Sequence, residues 1–345
     1  MHWLRRLVIL VVMVLGVLAV IADWADREYQ PPGAGRAIDL VVTTGETVSD
    51  VGRQLQSQGL IRNALVFRVY WRLRENGQPI QAGHYQLVQG TGIPDIAAML
   101  ATGKVINTAV TVIIPEGFTV VQIADRLASS GVCTKSEFLY EVQKGTFSEP
   151  FLAGWKPGKD VKYRLEGYLF PDTYDFDRGE NAHAVVADML NDFQRHIQPL
   201  LGDIGQSGQS LTAVITEASL IEREAKVEVE RPIIASVIDN RLKVSMKLEI
   251  DATIEYILGH RDVVTYQDLQ VKDPYNTYLH NGLPPGPIAS PGIASIDAVL
   301  HPAHTHYLYY VTKNDGSGEH YFAVTYQQQL HNEGLSQQNL KSHSP

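Results

Sequence analysis

The chain has 345 residues, of which 44% are hydrophobic and 19% are charged, and its formal net charge is −9. This length and composition exclude a disordered chain and predict two globular units. The basic residues form no run or stripe, so the sequence predicts no nucleic-acid partner. The single cysteine, Cys133, excludes an internal disulfide framework and a cysteine-rich metal site.

The N-terminus has the pattern of a membrane span. Arg5 and Arg6 precede an uninterrupted apolar run from Leu7 to Ala22, and Trp24 follows it. The run is slightly shorter than the roughly 20 residues of a spanning helix, which an interfacial Trp24 and snorkelling arginines would compensate. The absence of a convincing small-x-small cleavage site favours a single-pass anchor over residues 1–24; a cleaved signal peptide is the alternative. The positive flank places everything after the anchor outside the cytoplasm.

A pattern that occurs twice follows the linker predicted at residues 25–37, which contains prolines and glycines. Each copy has a β-branched run, a turn, a Thr-Val pair and an amphipathic helix that ends at a glycine. In each copy the threonine can cap the helix and the apolar residues face inwards. Six positions match at a constant offset: Gly45, Thr47, Val48, Val51, Leu55 and Gly59 in the first copy, and Gly117, Thr119, Val120, Ile123, Leu127 and Gly131 in the second.

These repeated units resemble LysM-type modules, which bind the amino-sugar backbone of peptidoglycan. A degenerate third copy lies between them, with a strand at Tyr85, Leu87 and Val88 and a helix over residues 96–100. The resemblance implies a glycan-binding domain over residues 38–150. The alternative is a small α+β domain that only positions its neighbour, because the motif is short and recurs in unrelated sequences.

A glutamate on an apolar helix face is the candidate catalytic residue. The periodicity predicts a helix from Leu211 to Val229 and a second helix opened by Pro232. Glu222 falls in the middle of the apolar side, where a carboxyl group loses hydration and can hold a proton, as a general acid must. The alternative is an ordinary pair between Glu222 and Lys226, one turn later.

Three other acidic residues project together on another arc of this helix, as a solvated acidic face would. They are Glu217, Glu224 and Glu228. The helix pattern therefore separates one glutamate from three.

Residues 218–224 closely resemble the signature helix of the MltG-type (YceG-like) endolytic murein transglycosylases. The resemblance covers nearly the whole chain, with the anchor, the LysM-like region and the catalytic domain in the family order. In that family the glutamate at the position of Glu222 is catalytic. The resemblance therefore implies an α+β protein whose mixed catalytic domain spans residues 160–335, followed by a polar, mobile tail over residues 336–345.

Two further segments match the family pattern. In the first, Glu166 offers a hydrogen-bond acceptor and Tyr168 an aromatic face for a sugar, with core packing as the alternative. In the second, Tyr275, Asn276 and Thr277 suit the recognition of N-acetyl and hydroxyl groups, and a rigid proline-rich loop and the segment Ser290, Pro291 and Gly292 follow. Asp251 begins another matching segment, although Ala252 stands where the family more often has proline.

The implied activity is cleavage of the bond between N-acetylmuramic acid and N-acetylglucosamine within nascent glycan strands, which leaves 1,6-anhydro ends. Most glycosidases need two carboxylates, whereas this reaction uses one, with no metal and no cofactor. The rival functions are a hydrolytic muramidase in which Asp251 or Glu166 directs water, and a non-catalytic glycan-binding scaffold. The implied partners are peptidoglycan strands and, less directly, cell-wall synthases. The implied location is the bacterial inner membrane, with the catalytic domain outside the cytoplasm.

Overall fold

The computed structural model describes Pro32 and residues 35–43, 45–75, 78–103, 109–261 and 263–343. It confirms an α+β chain and divides it into two compact units, of which the first ends at residue 108 and the second begins at Ala109. The predicted anchor over residues 1–24 lies outside the described residues. Within the described part of the chain, no helix is both long enough and apolar enough to cross a membrane.

The first unit pairs a small antiparallel sheet with helices. Strand β1 (Ala37–Val42) runs antiparallel to β2 (Gly83–Val88), with Ala37 opposite Val88. The helices are α1 (Val48–Ser57), α2 (Ala64–Arg74) and α3 (Ile93–Thr102). One core joins these elements, formed by buried side chains that include Leu40, Val51, Leu55, Phe67, Trp71, Tyr85, Leu87, Ile96 and Leu100.

The second unit is mainly helical and contains two separate antiparallel strand pairs. Strand β3 (Ala109–Ile113) pairs antiparallel with β4 (Thr173–Asp177), and β5 (Tyr309–Thr312) pairs antiparallel with β6 (His320–Ala323). The helices are α4 (Val120–Ser129), α5 (Lys135–Lys144), α6 (Ala182–Ile197), α7 (Leu201–Ser207), α8 (Leu211–Glu224), α9 (Arg231–Lys243), α10 (Asp251–Leu258), α11 (Ile293–Leu300) and α12 (Tyr326–His343). Helix α8 packs against α9, α10 and α11, and so lies at the centre of this unit.

The local structure of the two repeated copies is confirmed. Thr47 caps α1 and Thr119 caps α4, each through a reciprocal capping box with the residue three positions later. The glycines that end the two copies, Gly59 and Gly131, have φ angles of 71° and 75°, a left-handed conformation that favours glycine. The pattern therefore encodes the same strand, turn and capped helix twice.

The two copies nevertheless belong to different units. Strand β1 pairs with β2 in the first unit, whereas β3 pairs with β4, which lies more than sixty residues later. The apolar face of α4 packs into the core of the second unit through Val120, Ile123 and Leu127. The division at residue 108 therefore differs from the predicted domain boundary at 150, because a short repeat is stabilised by whichever elements cover its apolar face.

The C-terminal segment, for which the sequence predicts a mobile tail over residues 336–345, is helical as far as the structure describes it. Helix α12 continues through residue 343, and Ser336 is only 4% exposed. Asn314 Nδ2 donates a 2.8 Å hydrogen bond to Ser336 Oγ, and Asn339 Nδ2 donates a 2.7 Å bond to the carbonyl of Lys313. The Ser336 hydroxyl as acceptor and the Asn339 amide as donor therefore join this polar helix to the chain that follows β5.

Candidate active site

Helix α8 presents Glu222 near its C-terminal end. Ser210 caps the start of the helix, with its side chain accepting from the Ala213 N–H. The helix ends at Glu224, earlier than the predicted end at Val229, because Ala225 has an extended backbone. A 3-10 turn at Glu228–Glu230 then leads into α9 and brings its first residue back towards Glu222.

Both carboxylate oxygens of Glu222 have donors. Oε2 accepts a 2.8 Å hydrogen bond from Ser295 Oγ and a 3.1 Å bond from the Gly292 N–H, while Arg231 Nη2 lies 3.4 Å from Oε1. The side chain of Glu222 is 7% exposed. Arg231 Nε also donates to Ser295 Oγ at 3.0 Å, so the serine is held between the guanidinium and the carboxylate. The carboxylate is thus positioned as a hydrogen-bond acceptor.

Lys226, the alternative ion-pair partner predicted for Glu222, does not pair with it. It lies beyond the end of α8 and is exposed, whereas Arg231 forms the ion pair with Glu222. The i,i+4 pairing requires a continuous helix, and α8 ends before Lys226. The ion pair of Glu222 is therefore made by the following helix.

A turn after β3 lies against Glu222. Its Gly117 has a φ of 76°, and a Cβ there would stand 3.8 Å from Cγ of Glu222. Two backbone hydrogen bonds of 2.8 Å tie this turn to the segment before α11, from the Gly117 N–H to Ser290 O and from the Ser290 N–H to Phe118 O. The turn and the start of α11 therefore enclose Glu222 together.

This turn supplies a second carboxylate, Glu116, which is exposed. A Cβ on Gly292 would lie 1.8 Å from Glu116 Oε1, so only glycine leaves room for the carboxylate in this position. Partial burial and then the negative charge of Glu222 raise the pKa of Glu116, whereas Arg231 acts in the opposite direction. Glu116 and Glu222 therefore both lie against Gly292, one exposed and one almost buried.

A cleft of about 610 Å³ is bounded by the C-terminal end of α8 and the start of α4. Arg223, the neighbour of Glu222, lines it, forms a 2.9 Å ion pair with Glu255 and lies 3.4 Å from the carbonyl of Gly117. The other lining side chains include the polar and aromatic residues Thr119, Gln122, Lys162, Tyr163, Tyr256 and His260 and the aliphatic residues Val121, Ile257, Leu258 and Ile288. Such a mixture suits a carbohydrate, whose hydroxyl groups need polar partners and whose ring faces pack on aromatic side chains.

The family of the chain follows from comparison with known proteins. The sequence profile described as the YceG-like family matches residues 40–334. The chain belongs to the YceG-like family. This result confirms the resemblance carried by residues 218–224.

Three relatives of this YceG-like protein illustrate the similarity. An endolytic murein transglycosylase of Bacillus subtilis (strain 168) is 33% identical over 288 residues, covering 81% of this chain and 79% of the relative. One from Streptococcus pneumoniae serotype 2 (strain D39) is 29% identical over 299 residues, covering 79% of this chain and 54% of the relative. The crystal structure of a yceG-like protein from Listeria monocytogenes has a TM-score of 0.60 and 32% identity, covering 86% of this chain and 99% of that one.

Two of the predicted binding residues of this YceG-like chain form a network beneath the cleft. Glu166, 1% exposed, accepts from the Val120 N–H at 2.8 Å and from the Tyr256 hydroxyl at 3.0 Å. Burial raises the pKa of Glu166 to about 7, against the opposing effect of those two bonds. Tyr275, 2% exposed, has its ring centroid 5.0 Å from that of Tyr256. Both Glu166 and Tyr275 contact Tyr256, and Tyr256 lines the cleft.

Three predicted binding residues are internal in the YceG-like fold. Tyr168 lies in an aromatic cluster, and its hydroxyl donates to Thr212 at 3.1 Å. Asn276, 0% exposed, donates from Nδ2 to two backbone carbonyls. Thr277, 2% exposed, accepts from the Ile250 N–H at 3.0 Å. These contacts hold neighbouring parts of the chain in place. The polar groups of the three side chains are used inside the protein and do not face solvent.

Asp251 has a different position from the other predicted binding residues. It is exposed at the start of α10 and accepts from the Tyr278 hydroxyl. A pocket of about 240 Å³ lies beside it, lined also by Glu224, Tyr310 and His320. Among the contacts that the structure describes, none joins Asp251 to Glu222.

The predicted solvated acidic face of α8 is wrong for two of its three glutamates. Glu217 is 1% exposed, and burial raises its pKa to about 8. Glu224 accepts a 3.0 Å bond from the Tyr310 hydroxyl, and burial raises its pKa to about 7. Glu228 is exposed but lies outside the helix. Elements far away in sequence cover α8 on more than one side, which a single helix period cannot indicate.

Sequence reasoning missed Glu116, Arg231 and Ser295. The signal for Glu116 is its place in the repeat: it precedes Gly117, the counterpart of Gly45 in the first copy, where Thr44 stands instead. An acidic residue that appears in one copy only is a candidate for a function that the other copy lacks. Arg231 and Ser295 carry no such signal, because their importance depends on the packing of α9 and α11 against α8.

Proposed function

We propose that this protein is an endolytic lytic transglycosylase of peptidoglycan in which Glu222 acts as both acid and base. The observation that carries the proposal is the geometry of Glu222, which is almost buried, faces donors on both oxygens and directly precedes Arg223, a residue that lines the cleft. The Bacillus subtilis relative, named an endolytic murein transglycosylase, aligns with 81% of the chain. The proposed role in the cell is cell-wall biogenesis.

The chemistry needs one group that exchanges a proton twice. Protonated Glu222 gives its proton to the glycosidic oxygen as the bond from that oxygen to C1 of N-acetylmuramic acid breaks. The C6 hydroxyl of the same sugar then attacks C1 and returns a proton to Glu222. The new bond closes a 1,6-anhydro ring, no water is consumed, and the enzyme regains its starting form.

The surroundings of Glu222 support both steps. Gly292, Ser295 and Arg231 donate to the carboxylate that remains after the first transfer and hold it in place for the second. Positive charge develops on the sugar ring between bond cleavage and ring closure. The carboxylates of Glu222 and the exposed Glu116 provide negative charge on the side where that ring must lie.

The hydrolytic muramidase is the second candidate function, and Glu116 is the observation that favours it. A hydrolase needs a second carboxylate near the first, and Glu116 meets this requirement better than the predicted Asp251 or Glu166. Glu116 lies against Gly292, which itself bonds Glu222, whereas Glu166 is buried and Asp251 contacts Tyr278. Product mass separates the two reactions, because hydrolysis adds a water that transglycosylation does not.

Digestion of purified peptidoglycan by the protein, read by mass spectrometry, tests the proposal. Wild type should release products that end in 1,6-anhydro-N-acetylmuramic acid. Glu222→Gln keeps the side-chain volume but cannot transfer a proton. One proton transfer contributes about 100-fold to 10,000-fold to the rate, and the loss in this variant should be at least that large. Hydrated ends in the wild-type digest would indicate the muramidase, and binding without any cleavage would indicate the glycan-binding scaffold.

Glu217→Gln is the matched control for this variant. It makes the same substitution in the same helix at a carboxyl group that is also buried, but that has none of the described contacts of Glu222 with Gly292, Ser295 and Arg231. Its rate should stay close to that of wild type. Thermal melts of both variants are needed, because Glu222→Gln leaves Arg231 without its anionic partner. A folded Glu222→Gln protein that still releases anhydro products at the wild-type rate would exclude this mechanism.

We also propose roles for the predicted binding residues. Asp251, the exposed one, is available to contact a glycan directly. Glu166 and Tyr275 would act through Tyr256, whose hydroxyl and ring they hold at the cleft wall. Asn276 and Thr277 would keep the preceding and following loops in position.

The membrane anchor is part of the proposal. The apolar run from Leu7 to Ala22 would hold the protein in the inner membrane, with both units outside the cytoplasm. A reporter fused after Pro345 should be active only outside the cytoplasm. Reporter activity inside the cytoplasm would contradict both this location and the substrate.

Glycan binding by the first unit is a separate proposal, supported by its resemblance to LysM-type modules. Deletion of this unit should weaken binding to glycan polymer more than it weakens turnover of a short oligomer. The deletion has to end before Ala109, because β3 and α4 belong to the second unit. Equal loss of both activities would indicate that the first unit instead completes the active site. Cell-wall synthases stay a predicted class of partner.

A further inference from the structure

Helix α2 of the first unit has an unusual distribution of apolar side chains. Phe67 and Trp71 are 0% and 1% exposed and face the core. Positions two residues away lie about 200° around a helix, so the residues between them face outwards. The outward line consists of Leu65, Val69 and Leu73, which are 51%, 50% and 73% exposed. The outermost face of α2 is therefore aliphatic, where a surface helix is normally polar.

Basic side chains border this aliphatic line. Arg68 and Arg72 are exposed on one flank, and Arg74 follows in the last turn. The helix contains no acidic residue. Its fold does not depend on the aliphatic line, because Asn63 caps the helix and the Trp71 indole donates a 2.8 Å bond to Gln78 O on the inner side. Arg68 Nη1 donates a 3.3 Å bond to Ser49 Oγ and is still exposed, so the aliphatic line, Arg72 and the remaining donors of Arg68 are available for an external contact.

We propose that this outer face of α2, Leu65, Val69 and Leu73 with Arg68 and Arg72, lies on the surface of an anionic lipid bilayer. Aliphatic residues that insert shallowly and arginines that meet phosphate headgroups are the two features by which interfacial helices bind membranes. The face has no aromatic residue on its outer line, so it is not a stacking platform for sugar rings.

The sequence also places a bilayer within reach. The apolar run ends at Ala22, and β1 begins at Ala37. The connecting residues span at most roughly 50 Å when fully extended. The inference thus rests on the proposed membrane anchor, which keeps the first unit near the membrane. Contact through α2 would then limit the orientation of this unit relative to the bilayer.

An environment-sensitive fluorophore on the full chain, reconstituted in vesicles, tests the proposal. Cys133 is the only cysteine, so Cys133→Ser provides a background for single labels at Val69→Cys and at the control Val244→Cys. Val244, 62% exposed, lies in the second unit. In vesicles of phosphatidylglycerol and phosphatidylethanolamine, emission from position 69 should shift to shorter wavelength and be reduced by a lipid-borne quencher. Emission from position 244 should do neither.

Two further measurements identify the contact. Leu65→Ser with Leu73→Ser should abolish the shift at position 69, and Arg68→Gln with Arg72→Gln should weaken it in anionic vesicles more than in phosphatidylcholine vesicles. Emission at position 69 equal to that at position 244 in every vesicle would overturn the proposal. A shift that the lipid quencher does not reduce, and that grows with protein density, would overturn it in favour of a second copy of the chain.

Flotation of the vesicles separates this inference from the anchor. A protein that floats but shows no shift at position 69 has an anchor and no contact through α2. A protein that does not float lacks the anchor on which the inference rests, and this result also overturns the inference. Circular dichroism of each variant checks that the fold is retained.

Discussion

Ser295 Oγ lies 2.8 Å from Glu222 Oε2 and 3.0 Å from Arg231 Nε, so one hydroxyl joins the acid of α8 to the cation of α9. The two residues Ser295 and Glu222 are 73 positions apart in sequence. The serine is in the first turn of α11, whose N-terminal Gly292 also donates to Glu222. The start of α11 thus holds the carboxylate in position.

Ser295→Ala should therefore reduce turnover without unfolding the protein. A hydrogen bond to a charged group contributes about 1.5–3 kcal/mol, which corresponds to a loss of about 10-fold to 100-fold in kcat. KM should change little, because Ser295 bonds the catalytic group and not the substrate. Steady-state kinetics on a soluble glycan oligomer measures both constants.

Ser290→Ala is the control for Ser295→Ala. The Ser290 hydroxyl is buried without a hydrogen-bond partner among the described residues, so its removal should not lower stability. Equal losses of kcat in both variants would contradict the positioning role of Ser295.

Glu116→Gln should lower kcat by about 10-fold or more, because it removes negative charge close to the developing positive charge of the sugar ring. The proton transfers of Glu222 would remain. Glu228 is also exposed, and its negative charge acts on Glu116. Glu228→Gln is therefore the matched control and should keep the wild-type rate. A rate for Glu116→Gln within about twofold of wild type would show that the second carboxylate has no part in the reaction.

Gly292→Ala tests the same carboxylate by a different route. The added Cβ would meet Glu116 Oε1 at 1.8 Å and displace it, while the backbone φ of −77° suits alanine. We expect a loss of rate similar to that of Glu116→Ala, and little further loss when the two are combined. Fully additive losses would mean that Gly292→Ala acts through its N–H bond to Glu222 instead.

The stability of the second unit should fall as pH rises from about 4.5 to about 8, between the unfolded and folded pKa values of its buried glutamates. Burial raises the pKa of Glu217 to about 8, so the folded state binds this proton more tightly than the unfolded state. The stability from this group is complete below the ordinary glutamate pKa and is lost as pH rises through about 8. Glu166 and Glu224, each with a pKa raised to about 7, act in the same direction.

Glu217→Gln should flatten this dependence. Its melting temperature should exceed that of wild type by a margin that grows between about pH 4.5 and pH 8 and is constant above pH 8, at about 2–4 °C per kcal/mol. Thermal melts across that range, with the exposed Glu228→Gln as control, measure the effect. Parallel curves for Glu217→Gln and wild type would contradict the buried, proton-binding state of Glu217.

Gly167→Ala should destabilise the second unit more than Gly179→Ala. Both glycines have left-handed φ angles, of 83° and 73°, which cost about 1–2 kcal/mol in any other residue. At Gly167 a Cβ would also lie 2.5 Å from Pro287 Cβ and 3.0 Å from Ile215 on α8, whereas Gly179 faces open space. The clash should add about 1–3 kcal/mol, visible as a lower denaturant midpoint. Equal midpoints would contradict the close packing at Gly167.

The local elements of this protein follow from its sequence. Thr47 and Thr119 cap the helices that the repeat predicted, and Gly59 and Gly131 turn the chain where those helices end. The apolar arc of α8 correctly placed Glu222 on a side that is covered. These features depend on contacts within a few residues, where backbone geometry links sequence spacing directly to direction in space.

The surroundings of those elements depend on tertiary packing. The hydroxyl of Tyr310 donates to Glu224 from 86 positions away in sequence. The hydroxyl of Ser295 donates to Glu222 from 73 positions away, and this contact is part of the candidate catalytic centre. The side-chain chemistry of Asn276 and Tyr168 predicted a role in glycan binding. Both are buried by neighbours that the periodicity of the sequence does not identify. The domain boundary has the same origin, since α4 packs on the second unit. The spacing of apolar residues shows which side of a helix is buried. The elements that cover each side depend on the packing of the whole unit.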